Sequence, residues 1–306
     1  MVIEHRKDYT RREPVMNIAI IANPVKYEIK EVLSSAFSWA EKEDITFFLR
    51  KDVLSSTGIK PTEKVVLTDS DEESIGQGEI ILVMGGDGTI LYTARISKNS
   101  GKPILGINSG RLGFMANTRI EDLEKALYCV LQGDYQLDKR HFLVATDKDG
   151  NQHHALNEFL FSRKDATSMV NVTAEYDGNL INTYWADGLI VASPTGSTAY
   201  NLASGGPIVS PDTDVFVVTP INPHTLTTRP LVLNSRKPLR IIIEKQNVEV
   251  MFSYDGQIIE IEDYPFEVEI MKSDLTFNLI QLPGQDYFDT LQKKLMWGMD
   301  SRRNRN

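Results

Sequence analysis

Cysteine is almost missing from this chain: there is one, Cys129, in 306 residues. A single thiol forms no intramolecular disulfide, which suits a reducing compartment. Cys129 lies between Tyr128 and Val130 in an apparent helix, without the surroundings of a catalytic thiol, and reads as a packing residue. Long hydrophobic runs are missing as well. No stretch approaches the roughly 18 to 20 apolar residues of a membrane span. Met1 to Pro14 is charged throughout, so no signal peptide is expected and the expected location is cytoplasmic. The third absence is an excess of basic charge. A formal net charge of −9 argues against a nucleic-acid surface, and Arg302, Arg303 and Arg305 form too small a cluster to reverse it. Neither a nucleic acid nor a membrane is therefore expected as a partner. Nor does the chain contain a GxxxxGK[ST] phosphate loop.

What is present suffices for two domains, with 41% hydrophobic and 25% charged residues. The first half alternates strand and helix patterns. Met16 to Pro24, Ile45 to Leu49, Glu79 to Met84 and Pro103 to Asn108 read as strands. Glu28 to Glu43, Thr89 to about Lys98, Ile120 to Gln132 and, near the end of the chain, Asp286 to Met296 read as helices. Gly133 closes the third of these. Such alternation predicts an α/β domain with a parallel sheet. From about Tyr135 short apolar alternations recur, at His141 to Thr146, Ala155 to Phe161, Val170 to Tyr176, Phe216 to Thr219, Arg240 to Ile243, Val248 to Tyr254, Gln257 to Ile261, Phe266 to Ile270 and Leu275 to Ile280. Asp149-Gly150, Asp177-Gly178 and Asp255-Gly256 read as turns between them, so this half is predicted to be β-rich with a short helix at Thr198 to Ala203.

The most informative segment is Ile80 to Thr89, where an apolar strand ends in Gly85, Gly86 and Gly88 around Asp87. Glycines permit positive φ and close approach to a ligand, and the N–H groups of such a turn cradle phosphate oxygens. A carboxylate beside an anion is costly unless a metal ion or a reacting hydroxyl requires it there. The competing reading is a tight strand-to-helix connection in which Asp87 caps the helix.

Three further segments join it. Asn108 to Phe114 (NSGRLGF) is placed at the same sheet edge, with Phe114 either stacking on a base or packing into the core. Asn157-Glu158 sets an amide and a carboxylate side by side in a strand, so both reach one ligand only at a strand end or bulge. His153 and His154 diverge in the same way, which argues against a structural metal site. Asp187 to Asn201 (DGLIVASPTGSTAYN) runs from an acidic residue through an apolar strand into a loop with four hydroxyls in six residues. Hydroxyls and free N–H groups at a helix start bind polar ligands, whereas a simple Ser/Thr cap accounts for one or two of them.

These segments together resemble the ATP-dependent NAD kinases. GGDGT at Gly85 to Thr89, NSGRLGF, Asn157-Glu158, DGLIVASPTGSTAY at Asp187 to Tyr200, GGPIVSP at Gly205 to Pro211 and Asp255-Gly256-Gln257 stand in that family's order. The long serine/threonine-rich motif is far more specific than GGDGT, which lipid kinases and phosphofructokinases share. The resemblance implies an α/β N-terminal domain and a β-sandwich-like C-terminal domain, the division already read from the pattern: an α/β domain over 1–134, a β-rich NAD-binding domain over 135–284, and a C-terminal helix and tail over 285–306 expected to return to the first domain. It implies phosphoryl transfer from ATP to the 2′-hydroxyl of the adenosine ribose of NAD, with Mg²⁺ or another divalent cation whose protein ligands the sequence does not identify. Asp87 would take the hydroxyl proton. Gly85, Gly86, Gly88, Thr89 and Phe114 would line the substrate site. Asn157 and Glu158 would hold adenosine and ribose groups, and Asp187 would meet the nicotinamide carboxamide. Thr198, Ala199, Tyr200, Asn201, Leu202 and Ala203 would close around the bases, with Gln257 contributing. A homodimer or homotetramer is implied. Some prokaryotic relatives have a basic residue two positions before the aspartate matching Asp187, where this chain has Trp185. Two alternatives are a lipid or diacylglycerol kinase sharing the GGDG turn and a non-catalytic dinucleotide sensor.

Overall fold

The computed structural model describes residues 16–24, 29–108, 113–116, 118–165 and 168–297. The start of the helix read from Glu28, the Ser109 to Leu112 part of the loop and the arginines of the tail lie outside these residues. The described chain divides into two compact units. The first takes in residues up to Ile90, Lys102–Gln136 and residues from Ile280; the second takes in Leu91–Gly101 and Leu137–Leu279. No helix among the described residues is long and apolar enough to cross a membrane.

The first unit runs through β1 (Met16–Ala22), α1 (Ile29–Ala40), β2 (Ile45–Arg50), α2 (Lys51–Thr57), β3 (Val65–Thr68), α3 (Asp71–Gln77), β4 (Ile80–Gly85), the first turn of α4 (Asp87–Ser97), β5 (Pro103–Asn108), β6 (Thr118–Arg119) and α5 (Leu123–Gln132). The strands lie in the order β3-β2-β1-β4-β5 and are all parallel, with β6 parallel to β5. Every residue of β4 is buried, as expected of an aliphatic central strand covered on both faces. α1 and α5 lay Val32, Leu33, Phe37, Leu127 and Val130 against Ile18, Ile20, Leu82 and Ile107 in one core. Gly133, at φ 68°, ends α5 and donates its N–H to Cys129 and Val130 carbonyls. A 3-10 turn over Ile120–Asp122 precedes that helix.

Residues 51–77 carried no predicted element, yet they fold as α2, β3 and α3. Two seven-residue helices and a four-residue strand are too short to show a period. The available signal was a cap: Ser70 Oγ accepts the Glu73 N–H, and the Glu73 carboxylate accepts the Asp69 N–H.

The second unit contains β7 (Gln136–Asp147), β8 (Gln152–Ala155), β9 (Glu158–Arg163), β10 (Val170–Tyr176), β11 (Asn179–Ala186), β12 (Gly188–Ala192), α6 (Tyr200–Ala203), β13 (Val215–Ile221), β14 (Leu231–Asn234), β15 (Leu239–Ile243), β16 (Val250–Tyr254), β17 (Gln257–Glu260) and β18 (Phe266–Gln281). One sheet has the order β11-β10-β15-β18, with β7 beside β18 and β8 beside β7; the other is β14-β13-β12-β9-β16-β17. Leu143, Val172, Tyr184, Ile241 and Val268 of the first share a core with Phe159, Phe161, Val191, Phe216 and Phe252 of the second, so the sheets form a sandwich. Phe252 stacks on Phe159 and Phe161, with ring centroids 5.8 and 5.1 Å away.

The turns Asp177-Gly178 and Asp255-Gly256 have positive φ at both positions, 52° and 76° in one and 45° and 80° in the other, which matches the twist of the strands they join. β11 and β14 were not predicted: β11 exposes most of its side chains, and β14 has four residues. The two strands predicted at Phe266 to Ile270 and Leu275 to Ile280 are one continuous β18. The C-terminal helix is α7 (Tyr287–Leu295), with the Asp286 side chain accepting the Phe288 N–H at its start. It belongs to the first unit and buries Leu291, whereas Phe288, predicted on its apolar face, is exposed.

Candidate active site

In the first unit the turn from β4 to α4 places Asp87 at the first residue of the helix. Its carboxylate does not cap that helix. Oδ2 accepts the Phe114 N–H at 2.9 Å, and Oδ1 accepts those of Met115 and Ala116 at 3.1 and 3.2 Å. Gly113 makes this possible, because a Cβ there would lie 2.2 Å from Asp87 Oδ1. An ionised carboxylate has about four acceptor positions. Among the described residues three are taken by the backbone, which leaves one on Oδ2.

The glycines serve a different purpose from the one expected. Neither Gly85 nor Gly88 adopts a positive φ. Gly85 is required by space, since a Cβ would lie 2.3 Å from the hydroxyl of the buried Thr89. Gly88 is exposed, and a Cβ there would meet nothing within 4 Å, so the surface over the start of α4 is bare backbone. Gly86 closes the first turn through its carbonyl, which accepts the Thr89 and Ile90 N–H groups at 2.9 and 3.2 Å. Phe114 is half-buried, with Lys294 Nζ of α7 5.4 Å from its ring centroid. Sequence reading missed that lysine, because no local pattern ties position 294 to position 114.

In the second unit Asn157 lies just before β9 and Glu158 opens it, the strand end that adjacent ligand-facing residues require. What holds them there is Asp255 of the β16–β17 turn. Its carboxylate accepts the N–H groups of Leu156, Asn157 and Glu158 at 2.6, 2.8 and 3.2 Å. This is why Ala155 to Phe161, predicted as one strand, breaks into β8 and β9. Burial pushes the Asp255 carboxyl up to about 6 against the pull of those three N–H groups. Burial, and then the charge of Asp255, push Glu158 up to about 8. Asp255 was read only as a turn residue and part of the family pattern. A partner 97 residues away leaves no periodic trace.

The hydroxyl-rich loop is used mostly internally. Ser193 Oγ donates to the Leu156 carbonyl and accepts the Gly196 N–H. Ser197 Oγ donates to Pro194 and accepts the Val209 N–H, and Thr198 donates to the Thr195 carbonyl. Thr195 accepts from the buried Arg140, whose guanidinium is paired with Asp138 at 2.6 Å. Asn201, expected in the turn that closes around the bases, has its side chain held within the protein. It is fully buried, both its amide hydrogens go to the Ser197 and Pro207 carbonyls, and its Oδ1 accepts from Thr219. Thr198, Ala199 and Leu202 are partly exposed, and Tyr200 and Ala203 are exposed. Asp187 is engaged by Arg163 at 3.2 Å and by the Asn222 amide at 3.0 Å. Nearby, the exposed Trp185 lies on the His224 ring with centroids 4.2 Å apart. Gln257 accepts from Arg95 at 3.3 Å. His153 packs on Phe252 and Tyr254, while His154 packs on Phe142, so the two rings go to different neighbours.

Residues 18–135 match the ATP-NAD kinase N-terminal domain, and residues 156–282 match the ATP-NAD kinase C-terminal domain. A Cytophaga hutchinsonii protein named NAD kinase is 34% identical over 293 residues, covering 94% of this chain and 100% of the relative. One of the same name from Christiangramia forsetii is 39% identical over 236 residues, covering 76% of this chain and 80% of the relative. Yeast NADH kinase, solved in complex with NADH, matches with a TM-score of 0.85 at 25% identity, over 94% of this chain and 90% of that one. An NAD kinase from Archaeoglobus fulgidus, solved in complex with ATP, shares the fold at a TM-score of 0.72 and 24% identity, over 92% of this chain and 99% of that one. The matches define a kinase, a phosphotransferase with an alcohol acceptor. The chain belongs to the ATP-NAD kinase family.

Proposed function

We propose that this chain transfers the γ-phosphoryl group of ATP to the 2′-hydroxyl of the adenosine ribose of NAD, giving NADP and ADP. The supporting observation is Asp87: a carboxylate locked by three backbone N–H groups with one acceptor position left over, in a chain that matches both kinase domains. In this reading that position on Oδ2 receives the 2′-hydroxyl. The bond from the 2′-oxygen to the γ-phosphorus forms as the bond to the ADP oxygen breaks, and the proton passes to Asp87 late, because a carboxylate is a weak base toward an alcohol. Positioning and charge stabilisation carry most of the rate of a loose phosphoryl transfer. The bare backbone at Gly88, at the positive end of the eleven-residue α4, suits an approaching phosphate. Asn157, Glu158, Asp187, Thr198, Ala199, Tyr200, Leu202, Ala203 and Gln257 are assigned to the dinucleotide, with Phe114 lining it.

Among the described residues no group of three or more His, Cys, Asp or Glu side chains is gathered that could hold a metal. In this reading Mg²⁺ comes in on the triphosphate, where it would offset phosphate charge. Excess chelator is accordingly expected to lower turnover by about 100-fold or more, since charge neutralisation is central to phosphoryl transfer. It should leave the melting temperature of the ligand-free protein unchanged. A drop in that melting temperature would show a resident ion. A homodimer or homotetramer in the cytosol completes the proposal, with light scattering as the check on assembly.

An assay with ATP, Mg²⁺ and NAD, scored for NADP, tests the function. Steady NADP formation supports it. Phosphorylation of a lipid hydroxyl instead, or dinucleotide binding without product, overturns it.

A further inference from the structure

One pair of carboxyls in the second unit, Glu158 and Asp255, both partly buried, has no part in the transfer step. Glu158 Oε2 is buried and meets no hydrogen-bond partner among the described residues. Asp255 sits beside it: Asp255 Oδ1 accepts the Glu158 N–H, and the Asp255 N–H donates to the Glu158 carbonyl, both at 3.2 Å. Burial and the charge of Asp255 both work against ionisation of Glu158. Their surroundings decide which one keeps the charge. Asp255 has three backbone N–H groups aimed at its carboxylate, which is the solvation an anion needs. Glu158 Oε2 has none.

The neighbouring elements do not redress this. β12 sets Ala192 opposite Glu158, and the 193–198 loop brings Gly196 against the Asn157 carbonyl. β16 contributes Tyr254, whose ring lies 5.4 Å from His153 of β8, an imidazole that burial holds toward its neutral form. Arg95 of α4 donates to Gln257, and Arg140 of β7 is paired with Asp138. Among the described residues, the charge that acts on Glu158 is that of Asp255.

We propose that Glu158 carries a proton at neutral pH and meets the dinucleotide as a hydrogen-bond donor, with the fixed Asp255 carboxylate holding that proton on it. The proposal rests on the reading of Asn157-Glu158 as dinucleotide-binding and deepens it. A neutral Glu158 offers its O–H to an acceptor of the nucleoside, such as a ribose oxygen or a ring nitrogen. It also removes a like-charge repulsion, because the ligand carries a diphosphate and the protein a formal charge of −9. Burial and the neighbouring charge place the loss of that proton at about pH 8. Donation is therefore complete at lower pH and disappears as pH rises through that value.

The test is NAD binding by the full chain, measured calorimetrically without ATP between pH 7 and pH 9. The wild-type Kd is expected to rise about tenfold by pH 9, since the protonated fraction falls tenfold per unit above the pKa. Glu158→Gln keeps a donor at every pH, so its profile should be flat and it should bind NAD more tightly than wild type at pH 9. Asp255→Asn removes the charge that retains the proton and should bring the wild-type inflection to lower pH. A flat wild-type profile overturns the proposal without any variant. So does a Glu158→Gln protein that binds more weakly than wild type at both pH 7 and pH 9, the result expected of an ionised Glu158 accepting from sugar hydroxyls. An inflection unmoved in Asp255→Asn removes the role given to Asp255. NADP formation at pH 7 is scored separately and tests the kinase reading, so the two conclusions stand or fall on different measurements.

Discussion

Asp87→Asn is expected to lower kcat by roughly 10²–10⁴-fold, the usual worth of a positioned general base, with the KM for NAD little changed. An amide keeps the shape of the carboxylate and loses the proton-accepting capacity. The cradle adds a second, smaller effect. Phe114, Met115 and Ala116 all point N–H groups at this side chain, and an asparagine answers one oxygen's worth of them with donors of its own. Leaving one such N–H without an acceptor costs about 1–3 kcal/mol, so the variant should melt a few degrees lower while remaining folded at assay temperature. Steady-state kinetics and a thermal melt separate the two losses. Near wild-type turnover in the purified Asn protein would remove Asp87 from the chemistry and leave it a purely structural anchor.

The largest effect on stability is expected at Gly196. A Cβ there would lie 2.1 Å from the Asn157 carbonyl oxygen and 2.8 Å from the Asn157 Cα. These are backbone atoms, and they have little room to retreat, because the same carbonyl accepts the Ser193 N–H at 2.8 Å and the Asn157 N–H is held by Asp255. Gly196→Ala should therefore cost about 3 kcal/mol, the upper part of the range for overpacking. That corresponds to a melting temperature lower by roughly 6–12 °C. Because the displaced backbone carries Asn157, the KM for NAD should rise in whatever protein stays folded. A melt within a degree of wild type would show that the 193–198 loop yields more easily than its contacts imply.

Legibility of the fold followed element length and periodicity. β4, β5 and α5 were readable because an aliphatic run or a 3.6-residue stripe extends over enough positions to be distinctive. α2 and α3 were not, because seven residues span only about two helical turns, nor were β3 and β14, which have four residues each. The site was legible in a different way. Gly85, Gly88 and Gly196 stood out as glycines, but the reason for each was hidden. The expected positive φ of the GGDG turn is absent at Gly85 and Gly88; a side chain would instead collide with Thr89 at the first and intrude on open surface at the second. Likewise the excess of hydroxyls after Ala192 was visible, while their use as internal ties by Ser193 and Ser197 depends on carbonyls at Leu156 and Pro194 and an amide at Val209.

Composition and local pattern by themselves determined the class of each half, parallel α/β and then β-rich, and singled out Asp87 and the Asn157-Glu158 pair, because short-range sterics and hydrophobic alternation are written in neighbouring residues. Tertiary structure alone decided what those carboxyls are. Asp87 became a fixed acceptor through amides some 27 to 29 positions away, and Glu158 became an acid with a raised pKa through burial and Asp255 across the sheet. Hydrogen-bond partners and desolvation arise only when distant segments meet, and it is these that set the charge a side chain carries.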